Sequence, residues 1–247
     1  MNPEITILVI NGSPRRKNNT SIMVQEALAG AKEIKGVRTE VFEFYKKTIE
    51  GCRGDCTLFC GKNGKCVIKD DFNEFLDAWL KADGIIFAAP VYHMGPPGQV
   101  KSAIDRLGNV LFAYLKGNFP RFYKVCGAMT QGSSRWGGQE ITIQFFLEHF
   151  MSMNCLPVTA DMPTSFMGVI GYANTWEPGS IREDEVALKA AKVLGRRVAE
   201  TVRIMKSGLK SLEDELPDEY FWQRIMEQRK ATKTEITLDW QKKASPH

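Results

Sequence analysis

Short apolar runs alternate along this chain with longer stretches in which apolar residues recur at helical spacing. The first run, residues 5–11, is almost continuously apolar, which is typical of a strand buried on both faces of a sheet. The stretch 182–206 carries one apolar stripe instead, which is typical of an amphipathic helix. By these criteria, strands are predicted at 5–11, 39–44, 84–89, 123–129 and from 156 to 160, and helices at 20–35, 70–82, 99–116, 138–153 and 182–206.

The alternation of strands and helices predicts the fold class. Such repeats form parallel sheets covered by helices, and right-handed crossovers make a doubly wound sheet the default. We therefore expect an α/β domain over residues 1–206, built on a five-stranded, doubly wound parallel sheet. Ligands of such sheets bind beyond the carboxyl ends of the strands. The loops that follow the strands are therefore the first candidates for a site.

The pattern changes at Ser207, after which the chain is polar and dense in charge. We interpret residues 207–247 as a helical C-terminal extension. It carries three adjacent aromatic residues, Tyr220, Phe221 and Trp222. Because large aromatic side chains are costly to expose, the extension is expected to pack on the core or on a partner subunit.

Composition excludes several classes of protein. A net charge of +4 is mild, and no basic stretch is interleaved with aromatic residues, so nucleic acid is not an expected partner. No apolar run approaches the roughly 20 residues that span a bilayer, and no leader precedes the first strand, so we expect a cytoplasmic protein without a membrane partner. In that compartment the six cysteines are expected to be thiols or metal ligands.

The loop after the first strand has the chemistry of a phosphate site. It runs from Asn11 to Ser21 as NGSPRRKNNTS and leads into a helix, whose first turn offers backbone N–H groups and a positive dipole end. Hydroxyl, amide and basic side chains add donors and charge. The loop lacks the Gly-Lys-Ser/Thr ending of a nucleotide-hydrolase P-loop and the pattern of a dinucleotide loop. The alternative is an ordinary helix cap with solvated basic residues.

Two further loops follow the third and fourth predicted strands. Residues 90–99, PVYHMGPPGQ, place an aromatic ring and a methionine among prolines and glycines, which suits a planar ligand. Residues 130–140, TQGSSRWGGQE, are polar and suit hydrogen bonds to a ring edge. The alternatives are a proline-rich turn and an ordinary surface loop. His93 is a candidate proton donor, although a single histidine in a loop is more often a bystander.

Together the three loops resemble the NADPH-dependent FMN reductase family of the flavodoxin-like superfamily, and within it the iron–sulfur flavoproteins. GSPRRKNNTS is similar to that branch's Gly-Ser-Pro-Arg…Asn-Thr-Ser phosphate loop. PVYHMGPPGQVKSAIDR is similar to its Pro-Val-Tyr loop and the following helix with Asp-Arg, and TQGSSRWGGQE to its third loop. The resemblance covers roughly residues 4–206 and implies a flavodoxin-like fold with an FMN cofactor.

The resemblance also implies roles for individual residues. The FMN phosphate would be held by Ser13, Arg15, Asn19, Thr20 and Ser21. The isoalloxazine ring would be lined by Pro90, Val91, Tyr92 and Gly95, and bordered by Thr130, Gly132 and Gly138. His93 and Met94 stand where the family often has an aromatic residue and a glycine, and both are included among the ring contacts. Asp105 and Arg106 are interpreted as structural residues at the end of a helix.

Four cysteines fall within fifteen residues, as Cys52, Cys56, Cys60 and Cys66 in a C-x3-C-x3-C-x5-C pattern. Four thiolates in one short segment can ligate a [4Fe–4S] cluster or a tetrahedral zinc ion. The iron–sulfur flavoproteins have a four-cysteine motif here, usually with C-x2-C-x2-C spacing, and the resemblance implies a [4Fe–4S] cluster. The wider spacing would also place three thiols along one helix face. Free thiols of a degenerate motif, or disulfides, are the remaining alternatives.

The resemblance implies an FMN-dependent NAD(P)H oxidoreductase that passes electrons to a small acceptor such as a quinone, a nitroaromatic compound or a flavin, with or without the cluster. The alternative hypothesis is a non-enzymatic electron carrier that serves a redox partner protein. A third is an interaction protein with a vestigial flavin site. A homodimer or homotetramer is expected, in which a neighbouring subunit covers the open face of the ring and the extension forms part of the contact.

Overall fold

The computed structural model describes residues 4–56, 58–117 and 119–232, with side chains up to residue 228. The part of the predicted extension beyond Thr232 lies outside the described residues. The strands are β1 (Ile5–Asn11), β2 (Val37–Glu43), β3 (Gly84–Pro90), β4 (Val125–Gly132), β5 (Leu156–Pro157) and β6 (Val169–Tyr172). The helices are α1 (Asn19–Lys32), α2 (Phe59–Asn63), α3 (Phe72–Lys81), α4 (Gly98–Tyr114), α5 (Gln139–Ser152), α6 (Glu185–Ser211) and α7 (Trp222–Thr232).

The strands form a parallel sheet in the order β2-β1-β3-β4-β5. Every residue of β3 is buried, as its unbroken apolar sequence predicts. One core cluster, on one face of the sheet, contains the buried residues of α3, α4 and α5. The other contains those of α1 and α6. Helices on both faces make this a doubly wound, flavodoxin-like sheet, which confirms the predicted fold class.

The fifth position in the sheet differs from the prediction. A single strand over 156–160 was expected, but β5 ends at Pro157. The chain leaves the sheet and returns as β6, which pairs with β4 farther along, from Met129 opposite Val169 to Gly132 opposite Tyr172. The intervening stretch contains Asp161-Met162-Pro163, a polar residue and a proline that suit a loop better than a central strand.

One helix boundary, and the place of two residues within another helix, were also predicted wrongly. The helix expected to end at Lys206 continues to Ser211, because residues 207–211 contain no proline and keep an apolar residue at the right spacing. Asp105 and Arg106 lie in the middle of α4 instead of at its end. Their predicted structural role is nevertheless consistent with their contacts, since Asp105 pairs with Lys101 at the surface and Arg106 is buried.

The extension packs on its own chain. Its α7 begins with Trp222, whose ring lies 5.6 Å from that of Phe122 and 4.3 Å from the buried ammonium of Lys124. Phe221 and Trp222 are both half-buried, and Trp222 packs against the core. Packing on the core is one of the two arrangements expected for the extension, and its contact with a partner subunit stays a prediction. No helix within the described ranges is long and apolar enough to cross a membrane.

Candidate functional site

A cleft of about 420 Å³ opens at the carboxyl ends of β1, β3 and β4. The loops after these three strands meet there, at the position where doubly wound sheets bind ligands. The predicted site residues that line the cleft are Ser13, Arg15, Asn19, Pro90, Val91, Tyr92, His93 and Gly132. Its volume lies within the usual range for a small-molecule site, about 300–1,000 Å³.

The loop after β1 is held in shape by its own polar groups. Ser13 is buried, its N–H donates to Asn11 Oδ1 at 3.2 Å, and its hydroxyl accepts from the N–H of Arg15 at 3.2 Å. Asn18 caps α1, since its side chain accepts from the N–H of Asn19 at 2.8 Å. Asn18 and Asn19 line the cleft together with Arg15, so the positive end of α1 and this basic side chain bound the same space. A helix start beside an arginine favours an anion.

Asn19 has a different task from the one predicted. Its side-chain nitrogen donates to the carbonyl of Glu177 at 3.2 Å and to the hydroxyl of Ser180 at 3.1 Å. Its side-chain oxygen accepts from the N–H of Gly179 at 2.9 Å. With its amide committed to these partners, Asn19 fastens the segment after β6 to the start of α1. The prediction of direct phosphate binding by this side chain is corrected accordingly.

Thr20 and Ser21, also predicted to hold phosphate, have side chains outside the cleft lining. The buried hydroxyl of Thr20 accepts from Gln131 Nε2 at 3.3 Å. The hydroxyl of Ser21 accepts from Asn11 Nδ2 at 3.1 Å, and Ser21 lines a second cavity of about 660 Å³. Both hydroxyls act as acceptors in these bonds and keep an O–H to donate, so their contact with phosphate stays a prediction.

The loop after β3 contains a tight two-residue turn. Tyr92 and Gly95 exchange backbone hydrogen bonds of 2.7 and 3.1 Å, and between them His93 and Met94 adopt positive φ angles of 45° and 68°. Left-handed backbone is unfavourable for such side chains and clusters at functional sites. The turn leaves Tyr92 and Met94 exposed by 43% and 46%. An apolar, strained turn at the cleft is consistent with a ring-binding role for this loop.

Gly138 fastens the third loop to the second. Its φ is 102°, and a Cβ there would lie only 2.6 Å from the Cα of Met94. Its carbonyl accepts the hydroxyl of Thr142 at 2.9 Å, which holds the start of α5. Only glycine combines this φ with so close an approach. This close approach holds the start of α5 against the turn at Met94.

Thr130 is placed differently from the prediction. Its side chain is buried, and its hydroxyl donates to the carbonyl of Ala89 at 2.8 Å, which ties β4 to β3. Gly132, two residues later, does line the cleft. The polar edge expected from this loop is therefore formed beyond Thr130, by residues 131–133.

Sequence reasoning missed five residues that line the cleft. They are Asn18, Gln131, Ser133, Thr175 and Trp176. Trp176 is 76% exposed, and its indole N–H donates to the hydroxyl of Ser133 at 2.8 Å. A tryptophan within the polar stretch NTWEPGS was the available signal, but it follows β6, which was not predicted.

The cysteine segment, residues 51–69, follows β2 and precedes α3. Cys52 is exposed, whereas Cys56, Cys60 and Cys66 are half-buried, and all four are free thiols. Burial raises the pKa of the Cys60 thiol, and the neighbouring Cys56 and Cys66 raise it further. Within the described part of the chain, no three Cys, His, Asp or Glu side chains are arranged to hold a metal ion.

The expected helical face of thiols is not formed. The helix α2 spans only Phe59–Asn63, so of the four cysteines only Cys60 is helical. Leu58, at its start, has a positive φ of 57°, and Gly64 ends it with a φ of 63°. The glycines of this segment disfavour one continuous helix.

A buried ion pair closes the base of the cysteine segment. Both nitrogens at the tip of Arg106 donate to the two oxygens of Asp70, at 2.5 and 3.0 Å, and one also donates to the carbonyl of Glu50 at 3.1 Å. The Asp70 carboxylate accepts the N–H groups of Glu50 and Phe72. Burial alone would raise the pKa of Asp70, but these hydrogen bonds outweigh it and lower the pKa. The two ends of the segment are thereby joined.

The donor set is compatible with an iron–sulfur cluster, although the thiols are not gathered around one point. Thiolates bind iron, and metal binding commonly organises segments of this kind. The guanidinium of Arg106 interacts with Cys66, and one of its buried N–H groups lacks a partner, which a bound thiolate could supply. The four cysteines therefore fit the cluster by their chemistry.

Comparison with known proteins agrees with this geometry. Residues 5–164 match the NADPH-dependent FMN reductase family. An iron–sulfur flavoprotein of Methanocaldococcus jannaschii is 37% identical over 81% of this chain and 98% of its own length. An iron–sulfur flavoprotein of Methanosarcina thermophila is 34% identical over 80% of this chain and 95% of its own length.

A solved flavodoxin, a WrbA-like protein from Agrobacterium tumefaciens, has the same fold. It superposes with a TM-score of 0.53 at 19% identity, over 81% of this chain and 98% of its own. The match to the family covers well over half of this chain. The chain therefore belongs to the NADPH-dependent FMN reductase family and is an FMN-dependent flavin oxidoreductase.

Proposed function

We propose that this protein binds FMN in the cleft and transfers electrons from NAD(P)H to a small acceptor, such as a quinone, a nitroaromatic compound or a free flavin. The observation that carries the proposal is the meeting of three strand-end loops around one space of about 420 Å³. Arg15 and the start of α1 offer an anion site at one part of it, and Val91 and Tyr92 an apolar wall at another. FMN combines a phosphate with a planar ring.

Each wall of the cleft has its own task in this proposal. The backbone N–H groups at the start of α1 and the guanidinium of Arg15 bind the phosphate through charge-assisted hydrogen bonds. Ser13 keeps the loop in that shape and offers its hydroxyl. Pro90 and Val91 exclude water from one face of the ring, and the turn at Tyr92 orients its edge. The bound flavin supplies hydride and electron transfer, so no protein acid or base is obligatory.

A steady-state assay tests this function. The full-length protein, reconstituted with FMN, is mixed with NADH or NADPH and a quinone, and the loss of reduced nicotinamide is followed by absorbance. We expect acceptor-dependent oxidation that saturates with both substrates. A protein that binds FMN but oxidises neither nucleotide would contradict the proposal and favour an electron carrier. A colourless protein that cannot be reconstituted would contradict both.

The second candidate function is electron transfer to a redox partner protein through a [4Fe–4S] cluster. It is favoured by four thiols in one segment beside a buried arginine, and by the relatives named iron–sulfur flavoproteins. The ligands would be Cys52, Cys56, Cys60 and Cys66. Iron and acid-labile sulfide analysis after anaerobic purification tests it, with about four of each expected per chain. Zinc in their place would indicate a structural site.

A homodimer or homotetramer remains our prediction for the assembled protein. The exposed side chains of Tyr92, Met94 and Trp176 at or beside the cleft are consistent with a covering subunit. A monomeric mass in light scattering at micromolar concentration would contradict it. The proposed location is the cytoplasm, where free thiols and reduced nicotinamide are both maintained.

A further inference from the structure

One buried polar atom lacks a partner within the described ranges. It is the side-chain nitrogen Nε of Arg106, whose guanidinium is 1% exposed. An unpaired N–H of a buried charged group costs considerably more than the average hydrogen bond contributes. Such a group in a folded protein needs an explanation, commonly a ligand, an ion or a water molecule.

The rest of the guanidinium is fixed by its neighbours. Its two terminal nitrogens bind Asp70 and Glu50, as described above, and the ring of Phe72 lies 4.2 Å from its central carbon. These contacts leave the group little freedom to turn. The direction of the Nε–H bond is therefore set by the fold and is not available for adjustment by rotation.

The cysteine segment supplies the candidate acceptor. The side chain of Cys66 interacts with the guanidinium, although it does not reach hydrogen-bonding geometry to Nε. The backbone of Cys66 is bracketed by Asn73, which accepts its N–H at 3.0 Å and donates to its carbonyl at 3.1 Å. Helix α3 thus brings Asn73 to the backbone of this one cysteine, and helix α4 brings Arg106 to its side chain.

We propose that Arg106 is a positioning residue for the iron–sulfur cluster, donating its Nε–H to the sulfur of Cys66 when that sulfur is bound to iron. The inference rests on the cluster put forward above. A thiol sulfur is a weak acceptor, whereas a metal-bound thiolate is electron-rich and accepts N–H groups readily. Hydrogen bonds to ligand sulfurs stabilise the reduced, more negative cluster and raise its reduction potential.

The test compares two variants that disturb the same ion pair in different ways. Arg106→Lys keeps the positive charge but removes the Nε–H donor. Asp70→Asn, the matched control, weakens the ion pair but leaves that donor in place. Both proteins are purified without oxygen, and their iron and flavin are counted. The potentials of the cluster and of FMN are then measured by redox titration followed by EPR and absorbance.

We expect the cluster of Arg106→Lys to become about tenfold harder to reduce, a shift of about 59 mV for one electron, with the FMN potential unchanged. In Asp70→Asn the shift should be less than half as large. A merely structural role would lower the iron content of both variants alike without moving the potential. Equal cluster potentials in wild type and Arg106→Lys would overturn the proposal.

A second measurement needs no variant and covers the case in which Arg106→Lys does not fold. Wild-type protein labelled with 15N-arginine is reduced, and its cluster is examined by pulsed EPR. A hyperfine coupling to one arginine nitrogen is expected, and its absence would overturn the proposal. Failure to incorporate iron after anaerobic reconstitution would also overturn it. Flavin content and NAD(P)H oxidation report separately on the proposed FMN function.

Discussion

The cleft and the cysteine segment both follow strands of the same sheet, yet they are organised differently. In the cleft, Ser13, Asn18 and Gly138 already occupy fixed positions through hydrogen bonds and close backbone contacts. In the cysteine segment the base is fixed by Asp70 and Arg106, and the backbone of Cys66 is held by Asn73. The thiols above that base are not arranged around a common point in the described chain.

This difference shows what a parallel sheet can and cannot build by itself. Strand ends and helix starts place the cleft groups as a direct result of topology, so a cofactor meets a formed site. Ligands within one irregular segment lack such a framework and commonly become ordered when the metal binds. We therefore expect the FMN cleft and the cysteine segment to respond independently to mutation.

The largest effect is expected at the base of the cysteine segment. Asp70→Ala removes the partner of a buried guanidinium, and breaking such a pair typically lowers the free energy of unfolding by about 3–5 kcal/mol. Chemical denaturation measures the change. Asp105→Ala is the control, because this carboxylate, next to Arg106 in the sequence, is exposed and its pair with Lys101 should contribute about 0–1 kcal/mol. Equal losses of unfolding free energy in Asp70→Ala and Asp105→Ala would contradict the role of Asp70 as the partner of the buried Arg106.

Lowering the pH tests the core that both regions share, because acid protonates the buried His149. Burial lowers the pKa of His149 to about 4, partly opposed by Asp105, and the ring packs 5.7 Å from that of Phe87. The unfolded chain therefore binds a proton at His149 more tightly than the folded chain does. The contribution of neutral His149 to the free energy of unfolding is fully present above pH 6.5 and is lost as the pH falls from 6.5 to about 4. The loss is on the order of 3 kcal/mol, at about 1.4 kcal/mol per pKa unit. His149→Leu should remove this dependence, and an unchanged pH profile would contradict the account.

The contact between two cleft loops can be broken without touching the cysteine segment. Gly138→Ala forces a Cβ against the backbone of Met94 at an unfavourable φ, which should cost about 1–3 kcal/mol and weaken FMN binding. Gly108→Ala is the matched control, because Gly108 lies within α4 with open space around its Cα and should be neutral or slightly stabilised. Flavin titration and denaturation measure both changes. Normal flavin affinity in Gly138→Ala would show that the loops move independently.

The smallest expected effect is a difference in FMN affinity between variants of two serines, Ser13 and Ser21, that follow β1. Ser13→Ala removes a hydroxyl that lines the cleft and should weaken FMN binding about tenfold, as the loss of one hydrogen bond to a charged group does. Ser21→Ala removes a hydroxyl that faces the second cavity and should change affinity less than about twofold. Fluorescence titration with FMN compares them. A larger loss in Ser21→Ala would contradict this placement and indicate that the phosphate binds beside the second cavity.

Sequence predicted the fold well because the signals were local. The apolar run of β1 and the helical spacing of Phe72, Phe75 and Trp79 needed no tertiary information. The sequence did not reveal that the last part of the sheet consists of two short strands, β5 and β6. Four residues such as Val169–Tyr172 are too few to show a period. Their place in the sheet is fixed by pairing with β4, which sequence alone does not reveal.

The candidate site was predicted by region more accurately than by side chain. Loop composition identified where a phosphate and a ring could bind, but not which donors were already committed to other partners. Asn19, Thr20 and Thr130 have suitable chemistry, and each is bonded to another part of the chain. Trp176 was missed because it reaches the cleft from a distant segment.

One measurement tests the central claim that the two sites are independent. FMN, iron and sulfide are counted in one anaerobic preparation before and after exposure to air, beside a Cys56→Ala variant. We expect about one FMN and about four irons per chain at first, then loss of iron with FMN retained. Cys56→Ala should contain normal flavin and little iron. Loss of flavin together with iron, or no metal after anaerobic reconstitution, would contradict the account.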